Sequence, residues 1–453
     1  MQAYFIKHLA FTIFILLHTT LARADINFDQ MKKDIETLAS DDMQGRKVFT
    51  PAIDKAADYI EKRFTEIGLV PFNNDSLKQD FYIYKIDPQS SSIKLNGTLV
   101  KKDNLSTLSF YKNKSSKKVS DFKVINVSEK DDFRTVIGQA NHNERDTVLL
   151  VNPKHRDIFK RYQSFLSRSK NRFEVNQGPS LVIIMTQEKV VDSIEVEISN
   201  SISKQRLSNV VGLLKANAKQ PNKNESVIFS AHYDHLGVTD KVVEQKNSLD
   251  GSNKPIDLIF NGADDDASGT TAVINLASHY SEIKERKRDL IFVAFTAEEI
   301  GGFGSQYFSK QLDTNNIVAM INIEMIGKKS KFGESEFWMT GTERSNLDEI
   351  MQIELDKNQQ KLFSDPYPKQ RLFYRSDNAT LARLGVPAHS FSTDEIDKDP
   401  HYHKAGDEVK TLNLRSMFNV INKIGNATNS LVTGTIKPTR LDTSKVNKKG
   451  YFF

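Results

Sequence analysis

The feature that most constrains the fold of this chain is an alternation of short apolar runs with helical segments between residues 209 and 433. The apolar runs, at 227–231, 290–295, 317–323 and 386–392, are rich in β-branched and aromatic residues. Such runs are typical of strands that are buried on both faces. Helical patterns at 269–285 and 304–312 lie between them. The alternation predicts an α/β fold with a mostly parallel or mixed central sheet covered by helices.

Metal-ligating residue types stand directly after these apolar runs, or in loops beside them. The five candidates are His232, Asp265, Glu299, Glu324 and His403. Ligands of open α/β sheets bind at the carboxyl ends of the strands, so these side chains are expected to converge. A free carboxylate, Glu298, stands beside the third candidate. The five candidates suffice to hold two divalent cations with a water between them, and Glu298 adds a base. This combination is typical of a hydrolase.

Each of these pieces has an ordinary structural explanation when it is taken alone. A His-x-Asp pair is usually a satisfied hydrogen bond. Three acids before a helix usually cap it and compensate its dipole. A glutamate pair after a strand is most often a solvated loop. The joint occurrence of complementary pieces at the ends of several predicted strands is what favours a metal site.

The ordered set of motifs resembles the M28 family of metallo-aminopeptidases, which are co-catalytic zinc peptidases. The matching segments are NVVG at 209–212, AHYDHLG at 231–237, GADDDASG at 262–269, FTAEEIG at 295–301, NIEMIG at 322–327, RSD at 375–377 and YH at 402–403. They cover roughly residues 209–414, and the amino-terminal helices also fit. The resemblance implies a zinc-peptidase-like fold and two divalent metal ions, most simply Zn²⁺.

The resemblance also implies a division of roles among the site residues. Asp265 bridges both metals, His232 and Glu324 complete one of them, and Glu299 and His403 complete the other. The implied base for the water that bridges the two metals is Glu298. Asp234 is implied to orient His232 through its carboxylate, and Tyr402 to donate a hydrogen bond to the tetrahedral oxyanion.

Two positions depart from the family pattern, and one assignment has an alternative. Glu324 stands where many members have Asp, so metal spacing or affinity is expected to differ there. Asn378 stands where His is common, which bears on substrate contacts more than on catalysis. His401 is an alternative ligand to His403. Three further histidines are interpreted as structural, namely His235, His279 and His389.

Residues 1–24 have the pattern of a secretory signal peptide. A basic residue, Lys7, precedes an apolar run at 9–17 that is too short to cross a membrane, and Ala22 and Ala24 fit a cleavage site. An uncleaved anchor is the alternative. The pattern predicts export to the periplasm or the medium, and a mature protein with no stable membrane insertion.

The rest of the chain divides into three parts, which differ in their patterns of apolar and polar residues. Residues 25–86 and 203–437 form the predicted metallopeptidase domain. Residues 87–202 read as a small β-rich insert with one helix near 157–166 and strands at 119–127, 147–151, 180–185 and 194–198. The insert stands where many family members carry a protease-associated domain, and is interpreted as a lid or spacer. Residues 438–453 are interpreted as a polar tail.

The net charge and the absence of cysteine restrict the partners and the metal ligands that this protein can have. Removal of residues 1–24 lowers the formal net charge from +5 to +3. A value so close to neutral does not indicate a nucleic-acid partner. The chain has no cysteine, so an exported form depends on its core and its metals, and any metal is held by histidines and carboxylates.

The expected function is hydrolysis of peptides that have a free amino terminus. A glutaminyl cyclase with a single zinc ion and a non-catalytic scaffold on the same fold are the alternatives. The presence of all five candidate ligands and of Glu298 favours the peptidase. The sequence leaves open the preferred first residue of the substrate, the use of the centre as a dipeptidase or carboxypeptidase, and the oligomeric state.

Overall fold

The computed structural model describes residues 26–73, 75–239 and 257–450. The predicted signal peptide therefore lies outside the described residues. Within the described ranges, no helix combines the length and the apolar character that crossing a bilayer requires.

The helices follow the local signals of the sequence closely. Thr50 precedes a proline at the first helical position, and Gly68 ends the same helix in a left-handed conformation with φ 91°. The α-helices of the described residues are α1 (Phe28–Leu38), α2 (Pro51–Ile67), α3 (Phe133–Ala140), α4 (Arg156–Leu166), α5 (Gly269–Ser281), α6 (Phe303–Ser309), α7 (Leu347–Asp356), α8 (Asn378–Ala382), α9 (Leu414–Ala427) and α10 (Asn429–Val432).

The strands form one large sheet, a four-stranded sheet and a short hairpin. Those of the described residues are β1 (Val70–Pro71), β2 (Lys78–Leu95), β3 (Thr98–Leu99), β4 (Leu105–Leu108), β5 (Asn113–Ser116), β6 (Lys123–Val127), β7 (Thr147–Val151), β8 (Lys170–Arg172), β9 (Leu181–Met185), β10 (Ile194–Leu214), β11 (Ser226–His232), β12 (Gly237–Val238), β13 (Ile259–Phe260), β14 (Asp289–Phe295), β15 (Ile317–Ile323), β16 (Trp338–Met339), β17 (Phe363–Ser364) and β18 (Ala388–Ser392).

The large sheet is mixed, and it confirms the predicted α/β class. Its central order is β17-β16-β18-β15-β11-β14-β10-β2-β3. Strand β11 pairs in parallel with β14 and β15, and β15 pairs in parallel with β18. Strand β10 runs antiparallel to β14 and β16 antiparallel to β18.

Both faces of the central sheet are covered by helices, which explains the unbroken apolar runs. Alternate residues of β11 point to opposite sides, since side chains alternate along a strand. Phe229 belongs to a core cluster that includes residues of α1, α2, α5, α7 and α9, whereas Ile228 belongs to a second cluster with residues of α6 and α8. The predicted polar tail contributes to the second side, where Leu441 and Val446 are buried.

The predicted insert contains the four-stranded sheet, in the order β4-β9-β7-β6. Strands β6, β7 and β9 run in parallel, and β4 is antiparallel to β9. Two expectations were wrong here. Helix α3 was missed, because its eight residues are too few to show a clear period. The strand expected at 119–127 begins only at Lys123, after a 3₁₀ turn over Val119–Asp121.

A long antiparallel ribbon joins the insert to the central sheet. Strands β2 and β10 pair from Lys78 opposite Val210 to Leu95 opposite Ile194, with a register shift between Ser199 and Asn200. The same two strands thus belong to the central sheet at one end and flank the insert at the other.

Candidate metal centre

The register of the parallel strands brings the predicted ligands to one edge of the sheet. His232 is the last residue of β11 and lies level with Phe295, the last residue of β14. Glu298 follows β14 after two residues, and Glu324 directly follows β15. All five predicted ligands contact at least one other member of the set. The convergence expected from the sequence is therefore what the described residues show.

Asp265 lies at the middle of the cluster, with its two carboxylate oxygens turned to different imidazoles. Oδ1 is 3.3 Å from Nε2 of His232, and Oδ2 is 3.1 Å from Nε2 of His403. Burial alone would raise the pKa of Asp265, but the neighbouring imidazoles hold it well below its ordinary value. Asp265 is therefore an anionic group with one oxygen available on each side.

The two glutamates complete the two sides of Asp265. Oε1 of Glu324 is 3.2 Å from Nε2 of His232, and Oε2 of Glu299 is 3.4 Å from Nε2 of His403. Burial lowers the pKa of His232, but the carboxylates of Glu324 and Asp265 outweigh it and raise the pKa well above its ordinary value. Each side of Asp265 therefore carries one imidazole and one further carboxylate.

Two groups of donors fit divalent ions. His235, Asp265 and Glu299 offer ligand atoms that lie within 4.8 Å of one another, and so do His232, Asp266 and Glu324. In the second group we favour Asp265 over Asp266 as the shared carboxylate. Both oxygens of Asp266 accept main-chain N–H groups, among them Oδ1 from Gly269 and Met325, each at 3.0 Å. Imidazole with carboxylate is a donor set that suits zinc and similar divalent ions.

His235 belongs to this cluster, although it was interpreted as structural. Its Nδ1 is 2.8 Å from Oε1 of Glu299 and 3.9 Å from Oδ2 of Asp265, and its buried Nε2 has no partner among the described residues. The sequence feature that indicates a place for His235 in this cluster is its position three residues after His232, in the segment HYDH. The short turn after β11 folds both imidazoles toward Asp265.

Asp234 makes a different contact from the one that was expected. Nδ1 of His232 bonds the main-chain carbonyl of Asp234 at 3.0 Å, whereas the carboxylate of Asp234 is 3.8 Å away. That carboxylate accepts the N–H groups of Glu298 and Glu299, at 3.0 and 3.3 Å. Asp234 therefore fixes the loop that carries the two glutamates, and orients His232 through its backbone.

Two further residues, to which the sequence assigned no role, hold the ligand loops in place. The buried guanidinium of Arg46 donates to four main-chain carbonyls, those of Leu38, Tyr233, Asn261 and Gly262, over 2.6–2.8 Å. Burial lowers its pKa to about 10, so it stays charged at neutral pH. Asp407 accepts the N–H groups of Asp264 and Asp265, at 3.0 and 3.1 Å. Neither contact has a local sequence signal, since the partners are far apart in the chain.

Glu298 lines the same cavity as the predicted ligands but forms no ion pair among the described residues. Burial raises its pKa well above the ordinary value, and nearby acids, among them Glu324 and Asp377, raise it further against the effect of His232. A carboxylate in such a place has a high affinity for a proton. A raised pKa of this kind is typical of a general base that works near neutral pH.

The aromatic ring of Tyr402 stacks on His403, with the ring centroids 4.0 Å apart. Its hydroxyl accepts a hydrogen bond from Arg375 at 3.4 Å, and burial raises its pKa, so it remains a neutral donor. The ion pairs with Asp265 and Glu299 come from His403, whereas the main-chain N–H of His401 donates to Asp399.

The other histidines and Asn378 have structural contacts. His279 is buried against Tyr280. His389 bonds the carbonyl of Thr340 at 2.7 Å and the hydroxyl of Ser345 at 2.9 Å. Asn378 is buried and donates to two main-chain carbonyls. It also accepts a hydrogen bond from the hydroxyl of Ser390, which lines the cavity.

Comparison with known proteins gives a family match and several similar folds. Residues 209–427 match the model of peptidase family M28. The fold is similar to that of an aminopeptidase from Aneurinibacillus sp. strain AM-1, with TM-score 0.53, 18% identity, and coverage of 94% of this chain and 97% of the other. It is also similar to a zinc aminopeptidase from Bacillus subtilis, with TM-score 0.52, 16% identity, and coverage of 91% and 97%.

A glutaminyl cyclase from Bacteroides thetaiotaomicron matches with TM-score 0.47 and 12% identity, over 89% of this chain and 97% of the other. This likeness does not discriminate between activities. The family match covers the strands, loops and helices that carry the candidate ligands. Residues 209–427 are similar to peptidases of family M28, and the fold of the chain is similar to that of the two aminopeptidases.

Proposed function

We propose that this protein is an exported aminopeptidase that uses two divalent metal ions, most simply zinc. The observation that carries the proposal is the position of Asp265, whose two oxygens face imidazoles from different loops. A carboxylate placed in this way is suited to bridge two cations. Glu298 beside it is suited to take a proton.

The chain's own residues divide into two donor sets around the bridge. His232 and Glu324 would hold one ion, and Glu299 with His403 the other; His235 is close enough to Glu299 to steer its carboxylate. Ions bound there would supply Lewis acidity toward the scissile carbonyl and lower the pKa of a nearby water. Glu324 is one methylene longer than aspartate, and Ser376 donates to its Oε2 at 2.5 Å, which fixes the longer side chain.

Glu298 acts as the general base in this proposal. Its carboxylate takes the proton from the attacking water and delivers it to the amine that leaves. The loop that carries it is fixed by Asp234, through two main-chain hydrogen bonds. The position of the base is set before the substrate binds. The reaction therefore requires little free energy to reorganise it.

Tyr402 stabilises the tetrahedral oxyanion by donating its hydroxyl proton as a hydrogen bond. The ring is held by stacking on His403, and Arg375 contacts the hydroxyl oxygen. Arg375 also adds positive charge near the developing oxyanion.

The test of this function is a comparison of matched peptides on metal-quantified protein. Substrates with a free amino terminus should be cleaved one residue at a time, and the same peptides with an N-acetyl group should not. Cleavage of both forms would contradict the aminopeptidase. Conversion of an N-terminal glutamine to a cyclic product, with one metal per chain and no released amino acid, would favour the cyclase.

Export is proposed from the sequence of residues 1–24. Expression of the full chain, followed by fractionation and amino-terminal sequencing, is expected to give a mature protein that begins near Asp25. Retention of the intact amino terminus in a membrane fraction would favour the alternative of an uncleaved anchor.

A further inference from the structure

The cavity beside the metal centre contains one acid that the reaction does not use. Asp394 follows β18 and lines this cavity together with Glu298 and four of the predicted ligands, namely Asp265, Glu299, Glu324 and His403. Its side chain is almost fully buried, with 2% relative exposure, and neither of its carboxylate oxygens has a hydrogen-bond partner among the described residues. A buried carboxylate without a partner is costly, so its position calls for a ligand.

The neighbouring lysine does not supply that partner. The ammonium group of Lys328 lies 2.7 Å from Asp399, 3.4 Å from Asp264 and 3.5 Å from Asp407. Carboxylate oxygens of Asp394, Asp264 and Asp399 lie within 4.8 Å of one another, so this is a crowded group of acids. Lys328 already provides the cation for the others, which argues against a metal ion in their midst. The carboxylate of Asp394 thus stays without a hydrogen-bond partner among the described residues, beside the cavity that Asp394 lines.

The remaining walls of the cavity are largely apolar. They include Met325, Trp338, Leu372 and Ile396. Such walls suit the methylene groups of a long side chain, while its charged end requires an acceptor. Burial raises the pKa of Asp394 to about 8, and the charges of Asp264 and Asp399 add to this effect, so the carboxylate gains from a cation beside it.

We propose that Asp394 is a specificity-determining residue that binds the ammonium or guanidinium group of a basic first residue of the substrate. The peptide's α-amino group has other acceptors, since Glu298, Glu299 and Glu324 line the cavity at the metal centre itself. Asp394 instead clusters with Asp264 and Asp399. Peptides that begin with lysine or arginine are therefore the preferred substrates. This inference rests on the proposed aminopeptidase function.

The experiment compares substrates that differ only in the charge of the first side chain. Aminoacyl-coumarin amides of lysine, arginine, ε-acetyl-lysine and norleucine are assayed with the metal-loaded protein, with Asp394→Asn and with a control, Glu395→Gln. Glu395 lies on the same loop but pairs with Lys398 at 3.2 Å. Thermal melting of each variant checks that it folds.

The wild-type protein is expected to favour lysine over ε-acetyl-lysine by roughly 10- to 100-fold in kcat/KM, the range for a hydrogen-bonded charge. In Asp394→Asn this ratio should fall to near one, and in Glu395→Gln it should be kept. A ratio near one in the wild type would overturn the proposal. So would equal loss on all substrates in Asp394→Asn, which would assign the residue to the α-amino group.

A binding measurement removes the dependence on turnover. Calorimetry on Glu298→Gln is expected to show tighter binding of lysinamide than of norleucinamide, and the difference should vanish when Asp394→Asn is added. Equal affinities would overturn the proposal. Hydrolysis of norleucine but not lysine substrates would also overturn it and would leave the aminopeptidase function standing. Hydrolysis of no substrate at all would instead contradict the proposed function.

Discussion

The central sheet and the sheet of the insert are built alike but end differently. Both contain parallel strands that are buried over nearly their whole length, such as β11 in one and β7 in the other. At the carboxyl end of β11 the chain continues into His232 and His235, which contact acids from distant loops. At the end of β7 it continues into Asn152, whose side chain accepts the N–H of Lys154, two residues on.

The same holds for the strand next to β7. Strand β9 ends before Thr186, whose hydroxyl accepts the N–H of Glu188. In the insert, these strand ends are thus satisfied by short local turns. In the central sheet they are satisfied across loops that are far apart in sequence. The difference teaches that the sheet offers the position for a site, and that acids and imidazoles brought together there from distant loops make it one.

Removal of the metal is expected to have the largest effect. It should alter the central sheet and leave the sheet of the insert unchanged. Chelation is expected to abolish hydrolysis, and zinc to restore it. Ion binding stabilises the folded state by about 4 kcal/mol at a free concentration of about 1,000 times the Kd. Amide hydrogen exchange should therefore quicken near His232 and Glu324 after chelation, and stay unchanged in β7 and β9. Full activity of metal-free protein, or faster exchange throughout the insert, would contradict this.

Replacement of the base tests the centre without disturbing the ligands. In Glu298→Gln, kcat is expected to fall by roughly 10²- to 10⁴-fold, because a positioned base contributes about that much. Metal content by mass spectrometry should be unchanged. Thermal stability should be equal or higher, since a buried acid without an ion-pair partner is removed. Undiminished kcat would refute the assignment of Glu298.

Protonation of His389, on β18 of the central sheet, is expected to make the folded protein less stable in acid. Burial lowers the pKa of His389 to about 4, against 6.5 for the free side chain, so the folded state favours its neutral form. Its stabilising contribution is complete above pH 6.5 and is lost as the pH falls toward 4. The loss is about 3 kcal/mol.

The control for this prediction is an exposed histidine of the insert. Denaturant unfolding between pH 7 and 4 should be less acid-sensitive in His389→Gln than in the wild type. His142→Gln should follow the wild-type curve, since the side chain of His142 is exposed. Identical curves for all three proteins would show that His389 does not titrate with a lowered pKa.

The smallest effect is expected at the strand end of the insert. Asn152→Ala removes the side-chain hydrogen bond to the N–H of Lys154 and should lower the free energy of unfolding by about 1 kcal/mol. Values of kcat and KM should not change, because this strand end carries no catalytic group. A loss of activity without a loss of stability would show that the insert takes part in the reaction.

Much of the fold and the core of the site were accessible from the sequence, for physical reasons. The apolar runs at 227–231 and 317–323 are long and uniform, and the parallel sheet then places the residues after them at one edge. Helix α3 was missed because a short element has too few periods. Asp234 was expected to contact His232 through its carboxylate, but a contact two residues apart was as easily made by the main chain.

The residues that the sequence did not reveal act over long separations. Arg46 and Asp407 bond the main chain of loops about 190–215 and 140 residues away, and Asp394 became notable only when its burial and lack of partners were known. A side chain that bonds carbonyls or N–H groups leaves no residue pattern at its partners, because every residue offers those groups.

The four hydrogen bonds of Arg46 have a consequence for how such a protein can diversify. The guanidinium holds the loops that carry His232, His235 and Asp265 through main-chain atoms alone. Substitutions at wall positions such as Trp338, Leu372 or Asp394 therefore leave this anchor untouched. Evolution can therefore change which substrates bind without disturbing the loops that position the candidate ligands.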